Sequence, residues 1–230
     1  MATSHGGTTW AILVAAGAGA RLGFDRPKAF VGLAGRPLLA ESLARLERSE
    51  WVDAIVVAAP PGWEEPAILL AEELIAAKVA SVVTGGATRA ESVRAGLAEV
   101  PDEAVAVLVH DGARPLVDDA VIERVLTPLA EGFDGVVPTL HLADTVKRIE
   151  AAIVLGTVDR TGLAVAQTPQ AFAAPALRAA LDGDLEGATD CSALVERRGG
   201  RIRAVEGDVR LLKVTTASDL AVVEQLLAGA

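Results

Sequence analysis

The feature that most constrains the fold is a regular alternation of short apolar runs with longer helical patterns between residues 10 and 137. The apolar runs have the length and continuity of buried parallel strands, and the segments between them have the spacing of amphipathic helices. Strands that return in parallel through crossover helices form a sheet with helices on both faces. We therefore predict a mostly parallel sheet in a three-layer α/β/α sandwich. The predicted strands span 10–15, 54–59, 79–84, 104–109 and 135–137, and the predicted helices span 37–48, 64–77, 89–99 and 118–131.

The segment 139–163 departs from this alternation. Residues 139–149 and 153–160 alternate in polarity around the turn Glu150-Ala151-Ala152, which predicts a protruding β-hairpin arm. Because an isolated two-stranded hairpin is marginally stable in water, we expect the arm to pack on a second subunit. Beyond it, the pattern predicts helices near 174–182 and 189–198, strands near 201–205 and 210–215, and a final helix starting at Thr216-x-x-Asp219.

The composition restricts the class of protein and its partners. A chain of 230 residues with 51% hydrophobic residues can bury one sizeable core, so we expect residues 1–9 to be a flexible terminus and 10–230 to form one domain. The formal net charge of -10 argues against binding to nucleic acid and requires local cations for any anionic substrate. No apolar stretch reaches the ~18 residues of a membrane span, and the N-terminus lacks a signal-peptide pattern, so we expect a cytoplasmic protein with no membrane partner. The single cysteine, Cys191, excludes an internal disulfide and a Cys-based zinc site.

A glycine-rich run follows the first predicted strand, from Ala15 to Gly23, and Lys28 comes shortly after it. Small residues let backbone N–H groups approach an anion closely, and Arg21 and Lys28 add two cations. The glycine spacing is one residue too long for a dinucleotide fingerprint, and no Lys-Ser or Lys-Thr pair completes a Walker loop. The run therefore predicts a triphosphate-binding loop, although a Gly-rich turn from strand to helix is also a common structural device.

Two further segments place polar groups at predicted strand ends. After the third strand, Gly85-Gly86 leads into a helix that begins near Arg89 and Ser92, so N–H groups, a guanidinium and a hydroxyl converge at one helix N-terminus. After the fourth strand, Asp111 can orient a metal or a sugar hydroxyl, and Arg114 can bind an anion. The alternatives are an ordinary Gly-rich turn and a turn-forming aspartate. His110 is expected to pack or to form a hydrogen bond rather than to act in acid–base chemistry.

The motifs occur together in one order along the chain. They are Ala15-Ala16-Gly17 through Arg21, Pro27-Lys28, Gly85-Gly86 through Arg89 and Ser92-Val93, Val109-His110-Asp111, Ala113-Arg114-Pro115, Asp144-Thr145, Thr157-Val158-Asp159-Arg160, Thr168-Pro169-Gln170, Thr189-Asp190 and Lys213-Val214-Thr215. In this order and spacing, over essentially residues 10–227, the chain resembles the 2-C-methyl-D-erythritol 4-phosphate cytidylyltransferase family. The resemblance implies a Rossmann-like nucleotidyltransferase fold, a homodimer formed through the 139–163 arm, and Mg²⁺ held mainly by substrate phosphates.

The resemblance also implies a reaction. CTP and 2-C-methyl-D-erythritol 4-phosphate would give 4-diphosphocytidyl-2-C-methyl-D-erythritol and pyrophosphate, in the non-mevalonate (MEP) pathway of isoprenoid precursor biosynthesis. A cytidylyltransferase acting on ribitol 5-phosphate is the alternative, because it shares the fold, the CTP site and phosphate recognition.

By the same resemblance, individual residues acquire roles. The catalytic residues would be Arg21, Lys28, Arg160 and Lys213. The CTP-binding residues would be Ala15, Ala16, Gly17, Gly19, Gly86, Arg89, Ser92, Asp111 and Gly112. The residues that bind the acceptor phosphate would be Arg114, Thr145, Arg160, Thr168, Thr189 and Lys213, of which Thr145 and Arg160 would enter the partner's site. No firm protein ligand for Mg²⁺ is implied, although Asp111 could contact it through water. Cys191 stands where the family pattern leads us to expect an acidic residue.

Two other classes of protein are disfavoured by the residues themselves. A nucleotide-binding regulatory module could lose the cations Arg21, Lys28 and Lys213, yet all three are present. A dinucleotide-dependent oxidoreductase needs an acidic residue after the second strand, where Ala58-Ala59-Pro60 stands instead.

Overall fold

The computed structural model describes residues 7–17, 19, 23 and 25–229. Its strands are β1 (Thr9–Val14), β2 (Gly32–Leu33), β3 (Arg36–Pro37), β4 (Ala54–Ala59), β5 (Val79–Thr84), β6 (Ala106–Asp111), β7 (Gly135–His141), β8 (Val146–Glu150), β9 (Ile153–Val158), β10 (Ala164–Ala166), β11 (Gln170–Ala173) and β12 (Ile202–Glu206). Its α-helices are α1 (Leu38–Arg48), α2 (Glu64–Glu73), α3 (Arg89–Leu97), α4 (Asp119–Leu126), α5 (Ala174–Leu181), α6 (Cys191–Arg197) and α7 (Ala217–Ala228).

A single large sheet forms the centre of the molecule, with strand order β10-β7-β11-β6-β1-β4-β5 and with β12 paired to β7. The pairs β1–β4, β1–β6, β4–β5 and β7–β12 are parallel. Only the short strands β10 and β11 pair in antiparallel fashion with their neighbours in this sheet, as far as the described residues show. The prediction of a mostly parallel sheet is therefore confirmed.

Apolar side chains cover both faces of the sheet. Along β1, Ala11 and Leu13 join a buried cluster on the face that carries α1, α2 and α4, whereas Ile12 joins a second cluster with α3, α5 and α6. Because successive strand residues point to opposite faces, a continuous apolar run fills both cores. The structure is thus the predicted α/β/α sandwich.

The predicted elements and the observed ones differ at several boundaries. β4 and β5 match the predicted spans, whereas α2 ends at Glu73 rather than at 77, followed by Ile75 with a positive φ of 52°. The predicted helix 118–131 is α4 followed by a 3₁₀ turn over Thr127–Glu131, because Pro128 cannot donate a backbone hydrogen bond. The short strands β2, β3, β10 and β11 were not predicted.

The predicted strand 210–215 is wrong. Leu211 and Val214 are both buried, but they are three residues apart and belong to different apolar clusters, so the segment lacks the two-residue period of a strand. Its backbone forms isolated hydrogen bonds instead, such as the one from the Val214 N–H to the Ala113 carbonyl over 2.8 Å.

The predicted arm is present but shorter than 139–163. Residues 139–141 belong to β7, where they pair with β10 in the central sheet. The separate two-stranded hairpin consists of β8 and β9, joined by Ala151 and Ala152, which both have positive φ. Within the described residues, no helix has the length and apolar character needed to cross a membrane.

Candidate active site

A cavity of about 410 Å³ lies at the carboxyl ends of β1 and β6 and at the N-terminus of α3. Ligands of open α/β sheets bind at this edge. Ten of the residues that the sequence assigned to catalysis or CTP binding line it together: Ala15, Ala16, Gly17, Lys28, Gly86, Arg89, Ser92, Asp111, Gly112 and Lys213. Arg21 lies outside the described residues.

Lys28, in the segment that follows β1, lies at the wall of the cavity. Lys28 begins a 3₁₀ turn that ends at Phe30, whose buried ring packs on Trp63 with 4.7 Å between ring centroids. Gly19 does not line the cavity. It has a φ of 71°, and a Cβ at this position would lie 2.6 Å from the Lys28 Cβ, so glycine lets the loop pass close to the lysine.

The loop between β5 and α3 is held in shape by the side chains of Thr88, Glu91 and Ser92. Thr88 Oγ1 accepts from the Glu91 N–H over 3.2 Å, and Glu91 Oε2 accepts from the Thr88 N–H over 2.8 Å, which forms a capping box. Ser92 Oγ accepts from the Gly86 N–H over 3.1 Å and donates to the Thr88 carbonyl over 2.9 Å. The buried Ser92 hydroxyl therefore fixes the shape of the loop.

Asp111 lies at the centre of a group of cations, and we call Arg89, Asp111 and Lys213 the central cluster. Asp111 Oδ1 accepts from Arg89 Nε over 2.8 Å, and Asp111 Oδ2 accepts from Lys213 Nζ over 2.6 Å. Arg114 Nε lies 3.9 Å from the same carboxylate. One carboxylate among three cations leaves an excess of positive charge, which suits a phosphate-rich ligand.

The charges of the cluster are set by these contacts. Burial raises the pKa of the Asp111 carboxyl, but Arg89 and Lys213 lower it more, and the net pKa lies well below its usual range. Burial lowers the pKa of Arg89, but the same ion pair raises it above its usual value. Asp111 and Arg89 therefore stay charged at neutral pH.

A second, smaller cavity of about 210 Å³ adjoins the first. Arg89, Asp111 and Lys213 line both cavities. Four of the residues that the sequence assigned to the acceptor phosphate, Arg114, Thr168, Thr189 and Lys213, line the smaller one. The central cluster is thus the wall between a nucleotide-sized cavity and a space for a small second ligand.

His110 connects three segments of this wall. Its Nε2 lies 3.0 Å from the Arg114 carbonyl, which can only accept, so this nitrogen carries the proton. Its Nδ1 then accepts from Thr168 Oγ1 over 3.2 Å, while Thr168 Oγ1 accepts from the Asp111 N–H over 3.0 Å. Burial lowers the pKa of His110 to about 4, so the ring is neutral at pH 7. The expected role in hydrogen bonding is confirmed.

The remaining predicted residues lie away from both cavities in this chain. Thr145 and Arg160 flank the β8–β9 hairpin and are exposed. Arg160 Nη1 donates to the carbonyls of Leu142, Ala143 and Asp144.

Among the residues at the site that were not assigned from the sequence, Gln170, Asp190 and Cys191 make polar contacts there. Gln170 and Asp190 line the smaller cavity, and Cys191 Sγ accepts from Arg89 Nη1 over 3.6 Å. Gln170 and Asp190 belong to the motifs Thr168-Pro169-Gln170 and Thr189-Asp190, so the sequence signal existed. The contact of Cys191 joins residues 102 positions apart and has no local signal.

An α/β sheet with two adjoining cation-lined cavities at its carboxyl edge has the architecture expected of a nucleotidyltransferase, whose two substrates bind side by side. The model of the family described as "IspD: 2-C-methyl-D-erythritol 4-phosphate cytidylyltransferase" matches residues 9–229. The chain belongs to this family.

Individual relatives agree over nearly the full chain. The 2-C-methyl-D-erythritol 4-phosphate cytidylyltransferase of Nocardia farcinica is 46% identical over 96% of this chain and 94% of its own length. That of Saccharopolyspora erythraea is also 46% identical, over 95% and 98%. Among solved structures, the enzyme from Thermus thermophilus has a TM-score of 0.77 and 31% identity, covering 96% of this chain and 99% of that one. A structure of 4-diphosphocytidyl-2C-methyl-D-erythritol synthase has a TM-score of 0.82 and 33% identity, covering 96% and 98%.

Proposed function

We infer that this chain transfers CMP from CTP to 2-C-methyl-D-erythritol 4-phosphate and releases pyrophosphate. The observation that carries this inference is the sharing of Arg89, Asp111 and Lys213 by two adjoining cavities in a chain that matches this family over residues 9–229. A transferase needs two substrates side by side, with their reacting atoms at the shared wall. The larger cavity receives CTP and the smaller one receives the acceptor.

The reaction requires little of the protein beyond positioning and charge. An oxygen of the acceptor phosphate attacks the α-phosphorus of CTP, a new P–O bond forms, and the bond to the β-phosphate breaks to release pyrophosphate. The attacking phosphate is already ionised, so no general base is needed. Negative charge increases on the α-phosphoryl oxygens and on the leaving group, and fixed cations stabilise it.

Each cation has a place in this scheme. Lys28 lies on the wall of the CTP cavity, and Arg21, seven residues before it in the sequence, acts with it on the transition state. Lys213 faces both cavities and serves the acceptor phosphate and the α-phosphate together. Asp111 holds Lys213 and Arg89 in fixed positions, so little reorganisation is needed during the reaction.

The role of Lys28 can be tested directly. We expect Lys28→Ala to lower kcat by about 10²–10³-fold with a much smaller change in the KM for CTP, because one preorganised charge donor is lost. Arg21→Ala should behave in the same way. Lys28→Arg should also fail, because a planar guanidinium does not replace a compact ammonium. Lys78→Ala removes a lysine that lines neither cavity, and it is the matched control. Near-normal turnover of Lys28→Ala would contradict the assignment.

Mg²⁺ fits this site as an ion that the substrate brings. Among the described residues, no group of three or more His, Cys, Asp or Glu side chains could hold a metal ion. Asp111 supplies one ionised carboxylate at the cavity, and Mg²⁺ commonly uses one or two carboxylates together with substrate phosphates. Asp111 would therefore contact the ion through water, and the bound ion would neutralise charge on the triphosphate.

We further propose that the working form is a cytoplasmic homodimer. The β8–β9 hairpin exposes Ile149, Ile153, Val154 and Leu155, each by more than half of its surface. A two-stranded hairpin with apolar side chains in water needs a second surface. Thr145 and Arg160 at the base of this arm would then reach the acceptor in the partner's site.

One assay tests the function and its alternative together. Pyrophosphate release is measured with CTP, ATP, GTP or UTP, each combined with 2-C-methyl-D-erythritol 4-phosphate or ribitol 5-phosphate. We expect rapid release only from CTP with methylerythritol phosphate. Faster release with ribitol 5-phosphate would establish the alternative, and release from no pair would refute the inference.

A further inference from the structure

Three buried polar side-chain atoms lack a hydrogen-bond partner within the described residues. They are Arg89 Nη2, Arg114 Nε and Gln170 Oε1. All three residues line the smaller cavity. Such unpaired buried atoms are uncommon in folded proteins, so their grouping on residues around one cavity indicates a binding site for a polar ligand. Two of the atoms donate and one accepts, and the ligand must therefore offer both an acceptor and a donor.

The orientation of the Gln170 amide is fixed by its neighbour. Its Nε2 donates to Asp190 Oδ2 over 2.8 Å, and a carboxylate can only accept, so Oε1 is the unpaired atom. Asp190 is itself held in place, because its Oδ1 accepts from the Ala193 N–H at the start of α6 over 3.0 Å and from Ser192 Oγ over 2.9 Å. Gln170 is only 1% exposed. Its carbonyl oxygen is therefore a rigid, unpaired acceptor on a residue that lines the cavity.

The other polar side chains from the same loop are already engaged. Gln167 donates from Nε2 to the Asp208 carbonyl over 2.9 Å and accepts the Asp208 N–H on Oε1 over 3.0 Å. The Thr168 hydroxyl donates its proton to His110 Nδ1. Of these three side chains, only Gln170 has a buried acceptor atom with no hydrogen-bond partner among the described residues.

We propose that Gln170 is a specificity-determining residue, whose Oε1 accepts a hydrogen bond from a hydroxyl group of the polyol phosphate acceptor. This inference rests on the proposed function. The guanidinium groups of Arg89 and Arg114 donate hydrogen bonds to oxygen atoms and match the phosphate end of the acceptor. Gln170 Oε1 can accept the proton of an O–H group, which the donor-only guanidinium groups cannot do. A ligand without that hydroxyl would leave a buried acceptor unpaired, and such a site discriminates strongly against it.

The test combines a variant with modified acceptors. Gln170→Met keeps the length of the side chain and removes both polar groups. The acceptor carries hydroxyl groups on C1, C2 and C3, so three analogues, each lacking one of them, are compared with the natural compound. We expect Gln170→Met to lower kcat/KM for the natural acceptor about 10- to 100-fold, with the KM for CTP unchanged. The wild type should lose a similar factor in kcat/KM when one of the analogues replaces the natural acceptor. For Gln170→Met, kcat/KM should be the same with that analogue as with the natural acceptor.

Two further variants separate recognition from folding. Gln167→Met removes a glutamine from the same cavity whose polar atoms are already paired, and it should keep the wild-type discrimination among analogues. The double variant Gln170→Glu/Asp190→Asn exchanges the acid and the amide. The amide introduced at position 190 can still cap α6 and donate to the carboxylate at position 170, whose second oxygen remains an acceptor. This double variant should recover most of the discrimination even if Gln170→Met folds poorly.

The outcomes are distinct. Three results would each overturn the role of Gln170 while leaving the proposed function intact. The first is that Gln170→Met loses kcat/KM equally with the natural acceptor and with all three analogues, and the second is that it loses none. The third is a double variant that folds but does not discriminate among the acceptors. A wild type that releases no pyrophosphate from CTP and methylerythritol phosphate would overturn the proposed function and this inference with it.

Discussion

The central cluster and the β8–β9 arm both bring cations to the proposed site, but they hold them in different ways. In the cluster, Arg89 and Lys213 are fixed by the buried carboxylate of Asp111 of the same chain. In the arm, Arg160 follows β9, is exposed, and donates to carbonyls of the loop between β7 and β8. The cluster is therefore complete within one subunit, whereas the arm presents a cation whose position depends on what it packs against. The nucleotide side of the site should tolerate disruption of the proposed dimer better than the acceptor side does.

The largest expected effect is on the cluster. Asp111→Asn removes the charge that compensates the buried Arg89 guanidinium, so we expect the free energy of unfolding to fall by about 3–5 kcal/mol, together with loss of activity. Urea unfolding followed by circular dichroism measures it. Asp102→Ala breaks the ion pair of a 96% exposed carboxylate with Arg178 and should cost less than about 1 kcal/mol. Equal effects of the two substitutions would remove the contrast between a fixed cluster and surface charge.

The second prediction concerns pH dependence near the cluster. The folded pKa of His110, about 4, lies below its ordinary value of 6.5, so between these pH values the unfolded chain binds a proton that the folded chain does not. Stability should therefore fall by about 3 kcal/mol as the pH is lowered from about 6.5 to about 4. Asp111 acts in a different pH range. Its lowered pKa stabilises the folded state above about pH 4, and this contribution is lost only as the pH falls below that value.

Two histidine variants test whether His110 causes this loss of stability between pH 6.5 and 4. His110→Asn should flatten the loss of stability between pH 6.5 and 4, whereas His141→Asn, which changes an exposed histidine at the end of β7, should leave it unchanged. Denaturant midpoints measured at several pH values provide the comparison. A slope that survives in His110→Asn would show that other groups titrate there.

The third prediction concerns the arm. We expect Arg160→Ala to raise the KM for methylerythritol phosphate about 10- to 100-fold, because a charge-assisted contact to phosphate is lost, while CTP binding is largely kept. Lys28→Ala, in contrast, should lose turnover. The two variants thus fail for different reasons and can be mixed.

Mixing decides which subunit Arg160 serves. If arms cross between subunits, a mixed dimer of Arg160→Ala and Lys28→Ala chains has one site with both residues intact. Random exchange of equal amounts should then restore about a quarter of the wild-type activity at low acceptor concentration. Absence of recovery, with subunit exchange demonstrated by mass, would place Arg160 in the site of its own chain.

The parts of the molecule that the sequence predicted well are those governed by local patterns. β4 and β5 are continuous apolar runs, and the loops after β1, β5 and β6 bring the predicted residues to one cavity. β10 and β11 have only three and four residues, too short to show a period. In 210–215, apolar side chains serve packing rather than strand pairing, which produced the wrong assignment. The unpaired Gln170 carbonyl depends on Asp190, twenty positions away, and no local pattern encodes it.

The smallest expected effect is at Cys191, on the border of the cluster. Burial raises the pKa of its thiol to about 11, so it is neither ionised nor accessible as a nucleophile, and the reaction needs no covalent intermediate. Cys191→Ser keeps an acceptor for Arg89 Nη1, and we expect kcat and both KM values to stay within about twofold of the wild type. The variant should also be insensitive to thiol reagents. Full loss of activity in Cys191→Ser, with the fold intact by circular dichroism, would instead give the thiol a direct role in the reaction.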